Sequence, residues 1–195
     1  MRAAGLTIDP AEAARFEQYF ELLSRWNAKI NLTSLPLQNA PASTLDRLFI
    51  EPLIAAALVE DAPCAWFDIG SGGGSPAIPL HIVRPSLHLT MVDSGAKKTA
   101  FLREAAHAAG LNDTQVLTSR IEDVAVSRAG AADLVTVRAV RFDQGLAEAV
   151  RLLLKLGGSL LRFGARSRAE LAGFRRVSER RLAQGEDMVI LFERS

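Results

Sequence analysis

The run Ala65-Trp66-Phe67-Asp68-Ile69 has the apolar character of a short buried strand and passes directly into Gly70-Ser71-Gly72-Gly73-Gly74. Glycine after a strand lets the backbone turn tightly and meet a ligand with no Cβ between them. A helix predicted from about Pro76 to Val83 then directs free amide groups and its positive dipole end at the same place. In a doubly wound sheet this is the carboxyl edge, where ligands bind. Asp93 ends the next predicted strand, where a carboxylate can accept hydrogen bonds from ribose hydroxyls. The chemistry indicated is the holding of a nucleoside.

Two ligand classes use such a turn. The dinucleotide fingerprint places glycines at its first, third and sixth positions, here Gly70, Gly72 and residue 75, which is serine. The methyltransferase version asks for the first, third and fifth, and Gly70, Gly72 and Gly74 satisfy it, with Asp68 as the acidic residue near the strand end. S-adenosylmethionine carries no pyrophosphate, so Asp68 would face its ammonium and the loop amides its carboxylate. Asp68 and Asp93 could equally be caps of strand-to-helix turns.

Around this loop the elements alternate. An amphipathic helix is predicted over residues 10–29, with Phe16, Tyr19, Phe20, Leu23, Trp26 and Ile30 at steps of three or four. Asp9 and Pro10 supply its start. A second helix is predicted from Ser43 to Val59. Strands are predicted at Ala65–Ile69, Leu87–Val92, Gln115–Thr118, Asp133–Val137 and Ser159–Phe163, with helices at Lys97–Ala109 and Asp143–Leu156 between them. The tail reads as a helix near Arg166–Phe174 and then two strands, Arg176–Leu182 and Met188–Phe192, turning around Gly185. The expected fold is α/β: a mainly parallel, Rossmann-like sheet with an antiparallel C-terminal edge hairpin, preceded by N-terminal helices. Residues 1–62 form the helical extension and residues 63–195 the core of one compact unit.

The 195 residues suffice for one domain with a sizeable core, and 49% hydrophobic with 23% charged residues is ordinary for a soluble protein; with the features that follow, a cytoplasmic location is expected. Asp9, Glu12 and Glu17 near the start argue against a signal peptide, and no apolar run approaches the roughly 20 residues of a membrane span. Cys64 is the only cysteine, and His81, His88 and His107 are scattered, so neither a disulfide nor a metal site is expected. The net charge of +1 is unevenly spread: residues 1–61 hold five basic and eight acidic side chains, residues 134–195 twelve and seven. The arginine-rich tail reads either as a solvated face or as a patch for phosphates.

Five stretches resemble one family: Leu22-Leu-Ser-Arg-Trp-Asn-Ala-Lys-Ile-Asn-Leu-Thr33, the Asp68–Leu80 loop, Val92-Asp-Ser-Gly-Ala-Lys-Lys98 with Phe101-Leu102, Ser119-Arg-Ile-Glu122, and Val137-Arg-Ala139. Their order and spacing are similar to those of the RsmG (GidB) family of 16S rRNA guanine-N7 methyltransferases, over nearly the whole chain. The resemblance implies a class I S-adenosylmethionine-dependent fold. It implies that Gly70, Ser71 and Ser75 line the cofactor site, that Asp93, Ser94 and Gly95 lie along the ribose, and that Ile121 and Glu122 flank the adenine. Arg138 would border the methyl-transfer site. Arg47, Lys97, Lys98 and the basic C-terminal segment would contact 16S rRNA or a small-subunit particle. Trp26, Asn27, Lys29 and Asn31 would build the substrate wall, although Trp26 also reads as a core residue.

The chain departs from the family pattern at several places. Arg47-Leu48 stands for an Arg-His pair, Ser75 for a bulky apolar residue, Ala77 for a glycine, Val137 for a serine and Phe163 for a lysine. These leave open another RNA, a small-molecule substrate, or a non-catalytic binding module. Guanine N7 has a lone pair and no proton, so no general base is needed. In agreement, neither an Asn/Asp-Pro-Pro-aromatic string nor a cysteine follows the fourth predicted strand. A monomer is the expected state.

Overall fold

The computed structural model describes residues 2–3, 6–165, 171–183 and 185–195. A two-stranded ribbon, β1 (Arg2–Ala3) and β2 (Leu6–Thr7), precedes helix α1 (Pro10–Asn27). Asp9 caps α1: its carboxylate accepts from the Glu12 amide while Glu12 accepts from the Asp9 amide, satisfying two otherwise free donors. The helix predicted over residues 43–59 is three pieces, α2 (Ala42–Leu45), a π-turn (Asp46–Ile50) and α3 (Glu51–Ala56). Pro52 lies within it and has no N–H for the α-helical ladder.

The core alternates β3 (Ala65–Ile69), α4 (Ala77–Val83), β4 (His88–Asp93), α5 (Ala96–Ala108), β5 (Gln115–Thr118), α6 (Ile121–Ser127), β6 (Ala132–Val137), α7 (Gln144–Leu153) and β7 (Leu154–Ala165). Strands β8 (Phe174–Arg181) and β9 (Asp187–Arg194) close it. The seven strands run in the order β5-β4-β3-β6-β7-β9-β8; the first five are parallel, and β9 pairs antiparallel with both β7 and β8.

The near-continuous apolar strands follow from burial on both faces. Trp66, Leu89, Met91, Leu134, Leu161 and Val189 face one cluster with α1, α3, α4 and α5, whereas Phe67, Ile69, Val92, Val135, Leu160 and Ile190 face another with α6 and α7. Successive residues of β3 thus belong to opposite layers. Tyr19 and Leu23 of α1 lie in the same cluster as Trp66 and Ile78, so the N-terminal helix shares the sheet's core.

Three stretches of the core differ locally from the expectation drawn from sequence. Helix α6 leaves little periodic signal in the sequence, because Ile121–Ser127 carries only two fully buried positions, Val124 and Ala125. The helix predicted to Leu156 stops at Leu153, and Gly157-Gly158 lies inside β7 rather than before it. There the β6–β7 register shifts, and a Cβ on Gly158 would stand 3.0 Å from the Lys155 carbonyl and 3.2 Å from that of Ala132. Of the helix expected near Arg166–Phe174, residues 166–170 lie outside the described residues, and Phe174 opens β8. Among the described residues no helix is long and apolar enough to cross a membrane.

Candidate cofactor and substrate site

The loop after β3 is built by backbone geometry that glycine permits. Gly70 (φ +71°) donates to the Val92 carbonyl at 2.8 Å, and Gly74 (φ +87°) donates to that of Ser71 at 2.7 Å. Tyr19 anchors the loop from below, its hydroxyl donating to the Gly73 carbonyl at 2.6 Å. A Cβ on Gly74 would lie 2.7 Å from Ile78 Cδ1 and 3.3 Å from Tyr19 Cε2. Gly74→Ala therefore combines a left-handed backbone with overpacking and should cost about 2–4 kcal/mol, read by urea unfolding. An unchanged midpoint would mean that the loop is free to shift.

Asp93 pins the same loop from the neighbouring strand. Its Oδ2 accepts from the Gly72 amide at 3.0 Å and its Oδ1 from the Gly95 amide at 2.9 Å. One carboxylate thereby fixes both the β3–α4 and the β4–α5 turns.

Asp68 stands beneath the loop rather than in it. It is buried, its Oδ1 accepts from the Thr136 hydroxyl at 2.5 Å, and its Oδ2 has no partner among the described residues. Thr136 in turn accepts from the Trp66 indole at 2.9 Å. Burial raises the Asp68 pKa to about 6, against the hydrogen bond of Thr136 and the charge of Arg138. A carboxyl group with a raised folded-state pKa protonates more readily in the native protein than in the unfolded chain. Stability should therefore fall as pH rises from about 4 to about 6, by about 3 kcal/mol from this group, and stay reduced above that window. Asp68→Asn should flatten that part of the unfolding free energy against pH; an identical slope in the variant would place the titration elsewhere.

Two adjoining cavities open at the carboxyl edge of the parallel strands. One, of about 270 Å³, lies between the glycine loop, residues 32–35, Arg47, Leu48, Ser75 and Arg138. The other, of about 460 Å³, lies over Ile69, Asp93, Ser94, Arg120, Ile121, Glu122, Val140 and Arg141. Gly70, Lys98 and Ala139 border both. A Cβ on Gly70 would come 2.4 Å from Val140 Cγ2, so any side chain here would have to displace Val140 at the seam. Ala139 takes φ +56°, a strained setting for a residue with a Cβ, at the seam between the cavities.

The residues singled out from sequence separate into groups. Gly70, Ser71, Gly72, Ser75, Arg47, Lys98 and Arg138 line the smaller cavity; Gly70, Asp93, Ser94, Lys98, Ile121 and Glu122 line the larger. Asp68, Gly74 and Gly95 support these walls without lining them. Trp26 joins α1 to α5 through an edge contact with Phe101 at 5.9 Å and a hydrogen bond to Glu104 at 3.1 Å. Asn27 accepts from the amides of Leu32 and Thr33, shaping the segment that lines the smaller cavity. Lys29, Asn31 and Lys97 are exposed and line neither cavity.

Arg138 is the best-anchored cation of the site. It is buried, with Nη2 at 2.5 Å from Glu51 Oε2, Nη1 donating to Ser75 Oγ at 3.1 Å, and its guanidinium 5.3 Å from the Phe163 ring centre. Burial lowers its pKa to about 10, which leaves it cationic at neutral pH. Ser75 Oγ donates to the Leu48 carbonyl at 3.0 Å, the carbonyl that Pro52 cannot serve as an α-helical donor. Sequence reading missed Glu51. Its signal was a proline inside a predicted helix, directly after an acid four residues from Arg47.

The family model for GidB, rRNA small subunit methyltransferase G, matches residues 12–191. The chain belongs to the GidB family. Similar proteins include the ribosomal RNA small subunit methyltransferase G of Streptococcus pyogenes serotype M12, 36% identical over 84% of this chain and 69% of that one. The protein of the same name from Roseiflexus is 38% identical over 82% and 68%. Among solved structures, TrmN from Thermus thermophilus has a TM-score of 0.59 at 22% identity, covering 74% of this chain and 49% of that one. MtNAS, in a variant solved with S-adenosylmethionine, has 0.62 at 16%, covering 94% and 72%. Both likenesses concern the fold. In this GidB chain three of the five departures gather around one side chain: Leu48 presents its carbonyl to Ser75, Ser75 holds Arg138, and Phe163 lies against the same guanidinium.

Proposed function

We propose that this GidB chain transfers a methyl group from S-adenosylmethionine to guanine N7 of 16S ribosomal RNA, in the cytoplasm where that RNA resides. The observation that carries the reading is the pair of adjoining cavities, with Asp93 in one, Arg138 in the other and Gly70 between them. When bound, S-adenosylmethionine supplies a methyl group on a sulfonium, already activated for displacement. Asp93, with lone pairs beyond those that hold Gly72 and Gly95, would accept the ribose hydroxyls. Ser94, Ile121 and Glu122 would flank the adenine, and the Gly70–Gly72 backbone the amino-acid end. The buried carboxylate of Asp68 would add negative potential beneath that ammonium without touching it.

The target base would enter the smaller cavity. Arg138 uses two of its five N–H donors on Ser75 and Glu51. The others suit the O6 carbonyl of guanine, which leaves the N7 lone pair free to attack the methyl carbon in line. No side chain has to take a proton, so orientation and exclusion of water are what the protein contributes. Arg47, Lys98, Arg120 and Arg141 at the cavity rims would meet phosphates, an interaction that weakens steeply with salt.

The test is incubation of unmethylated small-subunit particles, and of their naked RNA, with labelled S-adenosylmethionine, followed by nucleoside digestion. Label in N7-methylguanosine is expected. Label in another nucleoside would assign the departures at Leu48 and Phe163 to a changed target. No label in any RNA would end the reading.

A further inference from the structure

We infer that Glu51 is a positioning residue, which fixes the direction of the Arg138 guanidinium toward the smaller cavity from behind. The inference rests on the reading of that cavity as the methyl-transfer site. Glu51 is completely buried where the π-turn gives way to α3, and its amide donates back to the Asp46 carbonyl. Its Oε2 receives Arg138 at 2.5 Å and Arg47 at 3.3 Å, and Arg47 continues to Asp187 at 3.2 Å. Glu51 lines neither cavity, whereas both arginines that it holds line the smaller one. Ser75 grips the other terminal nitrogen of Arg138, and Phe163 covers a face of the guanidinium.

Stability alone does not account for this arrangement. Desolvating two charges cancels most of the attraction between them, and an apolar pair of similar volume would hold the helices as well. Among the described residues Glu51 Oε1 has no hydrogen-bond partner, so the carboxylate is not placed for the greatest number of stabilising contacts. What a carboxylate adds is direction. A guanidinium tethered at both terminal nitrogens cannot rotate, so its remaining donors keep one orientation before substrate arrives. The π-turn contributes by carrying Arg47 and Glu51 on the segment whose Leu48 carbonyl receives Ser75. Such turns recur at functional sites.

The test uses the whole chain, first without ligand. In the wild-type protein, guanidinium NMR should show separate Nη1 and Nη2 signals for Arg138, because rotation is blocked. Glu51→Gln should merge them. With S-adenosylmethionine and small-subunit RNA, Glu51→Gln should lower kcat by about ten- to a hundredfold and leave the KM for the cofactor within about twofold. Glu51→Asp should recover part of the loss. Should Glu51→Gln fail to fold, Ser75→Ala, which removes the opposite tether, should show the same merging with a smaller fall in kcat. Retained separate signals with wild-type turnover in the folded variant would overturn the inference, as would merged signals in the wild type. If the wild-type chain methylates no RNA, the functional reading fails, and the ligand-free spectra still decide whether Glu51 holds Arg138.

Discussion

Arg138→Ala is expected to lower single-turnover methyl transfer by about a hundred- to a thousandfold, the usual cost of losing a preorganised donor at a reacting centre. The structure adds a stability cost. Removing Arg138 leaves Glu51 with only the more distant Arg47, and breaking a buried pair from one side costs about 3 kcal/mol or more. Burial already raises the Glu51 pKa, with Arg138 the main group opposing that rise, so the variant carboxyl should protonate still more readily. The destabilisation should therefore grow as pH rises and shrink in mild acid. Rates must accordingly be compared at a pH and temperature where both proteins are folded, as judged by urea titration. Turnover within a few-fold of wild type would remove Arg138 from the reaction.

Asp93→Ala should cost the cofactor more than it costs the fold. The carboxylate is buried at the lip of the larger cavity and holds the Gly72 and Gly95 amides with separate oxygens. Hydrogen bonds to a charged acceptor contribute about 1.5–3 kcal/mol each. Losing ribose contacts together with the fixed shape of two turns should weaken binding of S-adenosylhomocysteine by about a hundredfold or more. Asp93→Asn keeps one good acceptor and should fall between the two. Calorimetry on the three proteins gives the order directly. Equal affinities would show that Asp93 is a turn cap and nothing else, the alternative that its hydrogen bonds in the ligand-free chain also satisfy.

What could be read from the sequence follows from which interactions are local. The glycine loop was legible because positive φ at Gly70, Gly72 and Gly74 is a backbone demand that only a few residue types meet. The parallel sheet was legible because β3, β4 and β6 are apolar on both faces, and the C-terminal hairpin because of its short turn. Contacts across long separations were not legible. Glu51 meets Arg138 across 87 positions and Tyr19 meets Gly73 across 54, and neither pairing leaves a periodic trace. Trp26 and Asn27, conspicuous as a motif, hold α5 and the segment after α1 rather than line a cavity. Asp68 was found by position, yet its place under the loop depends on Thr136, which only the β3–β6 pairing brings opposite.

Calorimetric titration of the purified chain with S-adenosylhomocysteine, set beside NAD, tests the central claim most directly. Saturable binding of one S-adenosylhomocysteine per chain, with no comparable heat from the dinucleotide, is the predicted result. A flat titration with the former, or preferential binding of the latter, would contradict the account.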